Sequence, residues 1–119
     1  MRFQIILTNQ RQYMWRLIAA NGRTIATSGE SYINKSNCQH GIGLVKSTTL
    51  VSQYAIYQDV TAQWRWRLVA TNGQIIAVSS ESYHNRTDCV ASAQLAVSTN
   101  QFTPADDLTV SQAAHMYRG

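Results

Sequence analysis

Residues 3–48 lie over residues 54–99 at a constant offset of 51 with no gap, and close to two positions in five are identical. Such a repeat is a single supersecondary unit that cannot bury its apolar face by itself. At this size an isolated core is marginal, so the two copies are expected to share one core within a single domain. The positions identical between the copies report what the unit needs in order to fold.

Each copy carries an Asn-Gly pair, Asn21-Gly22 and Asn72-Gly73, between runs of alternating apolar residues. This is a hairpin signal, and a two-residue type I′ loop would pair Ala20 with Arg23, Leu17 with Ala26, Trp15 with Ser28 and Tyr13 with Glu30. One hairpin face then holds Trp15, Leu17, Ala19, Ala26, Ser28 and Glu30, all of which recur in the second copy as Trp66, Leu68, Ala70, Ala77, Ser79 and Glu81. The opposite face holds Met14, Arg16, Ile18, Ile25 and Thr27, of which just Arg16 and Ile25 recur, so the first face is the packed one. A preceding strand over residues 3–8 or 54–59 shares Ile5/Ile56, which should point to the same side.

After each hairpin comes Glu-Ser-Tyr and then a helix start. Asn34 and Asn85 suit an N-cap, with Asn37 and Asp88 three residues on. The spacing predicts helices over residues 35–47 and 86–98, with Cys38, Gly41, Ile42 and Val45 facing inward, matched by Cys89, Ser92, Ala93 and Ala96. Gly41 and Gly43 should make the first helix the softer of the two. The fold class is α+β: two tandem β-β-β-α(-β) repeats form one antiparallel sheet, with both helices on one face and a pseudo-twofold axis between the halves. Residues 1–102 form the domain. The tail, residues 103–119, lies outside the repeat; Thr103-Pro104 before Asp106 could open a helix, but a mobile tail is the expectation favoured.

The run W-R-L-x-A-x-N-G-x-x-I-A-x-S-x-E-S-Y occurs twice, beginning at Trp15 and at Trp66. With it the chain resembles the YegP-like family of small bacterial proteins, domains of unknown function built from one or two such repeats. The resemblance covers nearly all of residues 3–99. It implies three strands, a helix and a short fourth strand per repeat, with C-terminal strands exchanged between repeats, so that a tandem chain is a pseudo-dimer. It brings no activity, cofactor or partner. One departure is the absence, after the second helix, of a counterpart to the basic Lys46: Val97 stands there.

Net charge is +4, concentrated in residues 1–53, where six Lys/Arg face Glu30. A basic half favours anionic partners, although a solvated surface is the plainer explanation. No window approaches the roughly 20 apolar residues of a membrane span, so a cytoplasmic protein without a membrane role is expected. Cys38 and Cys89 read as small core residues, since two thiols cannot complete a zinc site. The Asn34 and Asn85 sequons are explained by capping. No metal or cofactor is expected, and no catalytic residue is assigned.

If both helices cover one face, the other stays open. By the register above it would display Ile6, Met14, Arg16, Ile18 and Ile25, then Tyr57, Arg65, Arg67, Val69, Ile76 and Val78. Aliphatic surface with several Args suggests a non-catalytic binding module, with another protein as the favoured partner and the chain itself a monomer. Single-stranded nucleic acid is a weaker alternative, because the Trps of Trp64-Arg65-Trp66-Arg67 and Tyr13-Met14-Trp15-Arg16 do not share the face of the Args. A small enzyme using Glu30/Glu81 with Tyr32/Tyr83 is the third reading; it lacks a nucleophile or base pair.

Overall fold

The computed structural model describes residues 1–110. Strands β1 (Arg2–Leu7), β2 (Tyr13–Ile18) and β3 (Thr24–Thr27) lead into helix α1 (Lys35–Ser47). After a single 3-10 turn at Val51–Gln53, β4 (Ala55–Gln58), β5 (Trp64–Val69), β6 (Ile75–Ser79) and α2 (Arg86–Val97) repeat the pattern, and β7 (Ala105–Asp107) follows. Among the described residues the sheet has seven strands in the order β4-β5-β6-β3-β2-β1-β7. The helices form where their caps predict: Asn34 accepts from the Asn37 N–H and Asn85 from the Asp88 N–H.

The two halves meet where β3 pairs antiparallel with β6, Ala26 opposite Ser79 and Thr27 opposite Val78. Thr27 and Val78 are repeat equivalents, so the pseudo-twofold axis passes between them. Helix α1 packs on β2 of its own repeat and β6 of the other; α2 packs on β5 and β3. Both helices thus straddle the seam on one face. Beneath them Phe3, Trp15 and Leu17, with Trp66 and Leu68, are buried. Each half holds one edge-to-face aromatic pair: Phe3–Trp15 at 5.4 Å and Tyr54–Trp66 at 5.1 Å between ring centroids.

The hairpin loops differ from expectation. Gly22 alone takes a left-handed φ, +84°, while its N–H bonds the Ala19 carbonyl and the Ala19 N–H bonds the Arg23 carbonyl. This is a three-residue loop, a type I turn closed by a left-handed glycine, rather than a two-residue type I′ turn. Ala20 therefore does not pair with Arg23. A bulge at Leu17/Ile18 takes back the extra residue, with Ile18 opposite Thr24 and Leu17 opposite Ala26. Gly73 and the Leu68/Val69 bulge repeat the arrangement. A bulge turns one more side chain to the same side, and here that residue is Ile25 or Ile76. Both are buried in the core, 5% and 8% exposed, and not on the open face where strict alternation put them.

A second irregularity moves the glutamates. Tyr13 bridges to Tyr32 and Trp64 to Tyr83, so Tyr13 does not face Glu30. Gly29 adopts φ +71°, and the Ser28 hydroxyl donates to the Glu30 carbonyl, which swings the Glu30 side chain off the packed face into solvent.

The sheet is mixed rather than wholly antiparallel, because β7 runs parallel to β1 with Gln4 opposite Asp106 and Ile5 opposite Asp107. Alternation along β7 sends Asp106 to Arg2 (2.6 Å) on the open face and Asp107 to Lys35 of α1 (2.6 Å) on the other. The start of the tail therefore carries a strand, Ala105–Asp107, where a helix opening at Thr103 was the alternative. Residues 111–119, including Ala114, His115 and Tyr117, lie outside the described residues. The exchange of C-terminal strands runs one way: repeat 2 sends β7 to β1, whereas the chain after α1 becomes β4 itself.

One asymmetry is buried. The Trp66 indole N–H donates to the Ser92 hydroxyl at 3.0 Å, but Gly41 occupies the Ser92 position in repeat 1 and the Trp15 indole N–H is buried without a partner. A Cβ at Gly41 would meet the Tyr32 hydroxyl at 3.1 Å and Trp15 Nε1 at 3.4 Å, and Tyr32, half-buried, can give way. Gly41→Ser should therefore stabilise the protein by about 1 kcal/mol through helix propensity and the restored hydrogen bond, and Ser92→Ala should cost about 1–3 kcal/mol. Urea unfolding curves of the two variants check both signs.

Candidate interaction surface

The face opposite the helices is built by alternation along each strand. One in-register row crosses the whole sheet: Ala55, Arg67, Val78, Thr27, Arg16, Gln4 and Asp106. Arg67 and Arg16 are repeat equivalents set symmetrically about the twofold axis, three strand spacings apart, or about 14 Å between backbones. Met14 opposite Ile6 and Ile18 opposite Arg2 flank the row in repeat 1, with Tyr57 opposite Arg65 and Val69 in repeat 2. Val69 is exposed; Ile6, Met14, Ile18 and Val78 are half-buried.

The three Args differ in what holds them. Arg65 donates to Asp59 at 2.9 Å. The Thr61 hydroxyl and then the Arg65 guanidinium hold the Asp59 carboxyl well below the usual carboxylate range. Arg16 donates to the neutral Gln4 side chain at 2.8 Å. Arg67 lies over the Tyr57 ring, 4.9 Å from its centroid. Arg16 and Arg67 thus keep their positive charge uncompensated by any acid among the described residues. The structure brings Met14, Arg16, Tyr57, Arg65 and Arg67 onto one face, and removes Ile25 and Ile76 from it.

The carboxylates and phenols are arranged for structure. Glu81 bonds Arg23 of the other repeat, which holds its carboxyl below the ordinary value, opposite to the rise an acid catalyst at neutral pH requires. Glu30 is exposed. Burial first, and then the nearby Cys38 thiol, raise the Tyr32 hydroxyl, and among the described residues no hydrogen bond joins the Tyr32 or the Tyr83 hydroxyl to a nucleophile. Arg23–Glu81 was legible only as two polar residues; the contact joins residues 58 apart and needs the β3–β6 seam to exist.

Among the described residues no group of three or more His, Cys, Asp or Glu side chains converges as a metal site, and no helix is long and apolar enough to cross a membrane. Cys38 and Cys89 are free and fully buried.

A sequence profile described as a domain of unknown function, DUF1508, matches twice, over residues 9–52 and 59–98. The chain belongs to this family. A UPF0339 protein of Neisseria meningitidis serogroup B is 51% identical over 49 residues, 41% of this chain and 86% of the relative, so it holds little more than one repeat. A UPF0339 protein of Photorhabdus laumondii is 31% identical over 106 residues, 88% of this chain and 91% of its own length. Two solution NMR structures share the fold. The protein of unknown function YegP from E. coli matches with TM-score 0.81 at 27% identity, covering 91% of this chain and 92% of its own. A UPF0339 protein from Shewanella oneidensis matches with TM-score 0.82 at 26% identity, covering 96% of each chain. The resemblance read from the doubled Trp-Arg-Leu and Glu-Ser-Tyr motif is thereby borne out, together with the tandem architecture.

Burial pushes the Cys38 thiol up to about 11 and the Cys89 thiol up as well. Native protein at pH 8 should leave both unmodified by iodoacetamide while denatured protein reacts at both, because the thiolate fraction falls about tenfold per unit of pKa and neither sulfur is accessible. Mass spectrometry of the two samples checks this.

Proposed function

We propose that the protein is a non-catalytic binding module whose open sheet face docks an acidic surface of another protein. The observation that carries this reading is the row Arg67-Val78-Thr27-Arg16: two uncompensated guanidinium groups bracket a small, uncharged centre on a rigid sheet. Isolated exposed Args are common, but a twofold-related pair held by Gln4 and by Tyr57 is oriented in advance, which lowers the ordering cost of binding. The aliphatic flanks Ile6, Met14, Ile18 and Val69 supply apolar contact area, and a complementary charge on the partner would set register and encounter rate. Protein is favoured over single-stranded nucleic acid because Tyr57 is the one aromatic ring on this face among the described residues and Arg67 already covers it; Trp15 and Trp66 lie under the helices. The Glu30/Glu81 enzyme reading has no support in the geometry above.

The Arg16→Glu/Arg67→Glu double variant should retain its fold by circular dichroism and lose a partner captured from lysate by the wild-type chain, with affinity for the purified partner down about tenfold or more. The exposed loop variant Arg11→Glu should keep that partner. Identical partner sets for wild type and double variant would remove the open-face reading. A salt-steep shift with single-stranded oligonucleotide would replace it with nucleic-acid binding.

A further inference from the structure

The two outer edges of the sheet are not alike. At one edge β1 is covered by β7, a three-residue strand that follows Pro104 and carries two acids. Short length, charge and a nearby proline blunt an edge against further pairing. At the other edge β4 reads Ala55-Ile56-Tyr57-Gln58 and pairs with β5 alone among the described residues. It has no charge, proline or bulge to protect it. Its counterpart residue on β1, Ile5, is 2% exposed beneath β7, whereas Ile56 is only partly buried. The edge is incomplete in side-chain cover as well as in backbone pairing.

The internal symmetry shows what would complete it. On β1 the incoming strand is parallel; the Phe3 N–H donates to Pro104 and the Ile5 carbonyl accepts from Leu108. Alternation makes Ile56 and Gln58 the residues of β4 that direct backbone groups outward, as Ile5 and Leu7 do on β1. The two acids of β7 split between the faces, Asp106 to Arg2 and Asp107 to Lys35. Arg86 is the repeat equivalent of Lys35, exposed at the start of α2 with no acid partner among the described residues. Gln53, the sequence equivalent of Arg2, lies in the 3-10 turn and accepts from the Leu50 N–H; on the open face Arg67 is opposite Ala55 in the next strand, and the Ala55 side chain is too short to block it. One cation therefore waits on each side of the empty edge.

We propose that the free edge of β4 takes a short, extended, acidic segment of another protein, added parallel to β4 in the manner in which Ala105–Asp107 adds to β1, with successive acids meeting Arg67 on the open face and Arg86 on the helix side. Strand addition of this kind draws affinity from main-chain hydrogen bonds and specificity from the alternating side chains. Arg67 is shared with the Arg16/Arg67 docking row, but Arg86 and the outward backbone groups of β4 are not, and through these pairing at this edge holds or fails separately.

The probe is a synthetic nonapeptide with the sequence of residues 101–109, titrated into the full-length, isotope-labelled chain and followed by amide shifts. Saturable shifts centred on Ile56 and Gln58 and extending to Arg86, with β1 and β7 amides unmoved, are expected. Replacing each peptide Asp by Asn should weaken binding about two- to fivefold, as should Arg86→Glu in the protein. A peptide N-methylated at the residues whose N–H faces β4 should not bind, a control that leaves the protein untouched. No shift at millimolar peptide, or shifts confined to β1 and β7, would overturn the proposal. So would concentration-dependent broadening of the β4 amides without peptide, which would make a second copy of the chain the occupant.

Discussion

Everything in this fold depends on the antiparallel meeting of β3 and β6. A three-strand meander with one helix has an apolar face larger than its own helix covers. Pairing Thr27 with its own equivalent Val78 doubles the sheet and lets each helix lie partly on the neighbouring repeat. Most side chains along that contact are small: Ala26, Ser28, Ala77 and Ser79 from the sheet, Cys38, Gly41, Cys89, Ser92, Ala93 and Ala96 from the helices, all buried, with Ile25, Ile76, Ile42 and Val45 as the larger members. Small residues allow close approach, and interiors tolerate little change of volume at such contacts. The large buried Trp of each half then sits under its own helix, anchored edge-on by Phe3 or Tyr54.

Joining the two repeats in one chain breaks the symmetry they would have as separate copies. The segment after α2 is free to cross to β1 and become β7, but the segment after α1 is needed as β4. One edge is consequently covered and charged, the other bare. The same divergence is seen inside the core, where Ser92 satisfies Trp66 and Gly41 leaves Trp15 unsatisfied. On the surface Gln4 and Tyr57 hold Arg16 and Arg67 by different contacts at equivalent positions. Constraints shared by both halves keep the fold; positions freed from the symmetry are where recognition can differ between them.

Much of this was legible in the sequence because it is encoded locally. An Asn whose side-chain oxygen accepts the backbone N–H three residues on fixes a helix start, and α1 begins and ends where its spacing predicted. The packed face followed from which alternating residues recur, and Trp15 and Trp66 are both fully buried. What was not legible needs geometry that one-residue alternation cannot carry. Asn-Gly serves a two-residue or a three-residue loop, and the bulge that reconciles the longer loop with the Leu17–Ala26 register leaves no residue signature, so strict alternation puts Ile25 and Ile76 on the wrong face. Gly29 and the Ser28 hydroxyl turn Glu30 away from the packed face by a local backbone excursion. The three residues of β7 are too few to show a period, and their strand exists only because β1 offers an edge and Arg2 and Lys35 offer partners. Of the surface, the basic residues were visible in sequence, but their acid and amide partners at Asp59 and Gln4 were not.

A seam of this kind makes the two repeats one cooperative unit, and native-state hydrogen exchange measures that directly. The account predicts that backbone amides of β2 and β3 and those of β5 and β6 open with the same free energy, equal to that of global unfolding from denaturant curves. If the protected amides of one repeat opened at a free energy lower by about 2 kcal/mol or more than those of the other, the repeats would be folding separately and the shared core would not be the source of stability.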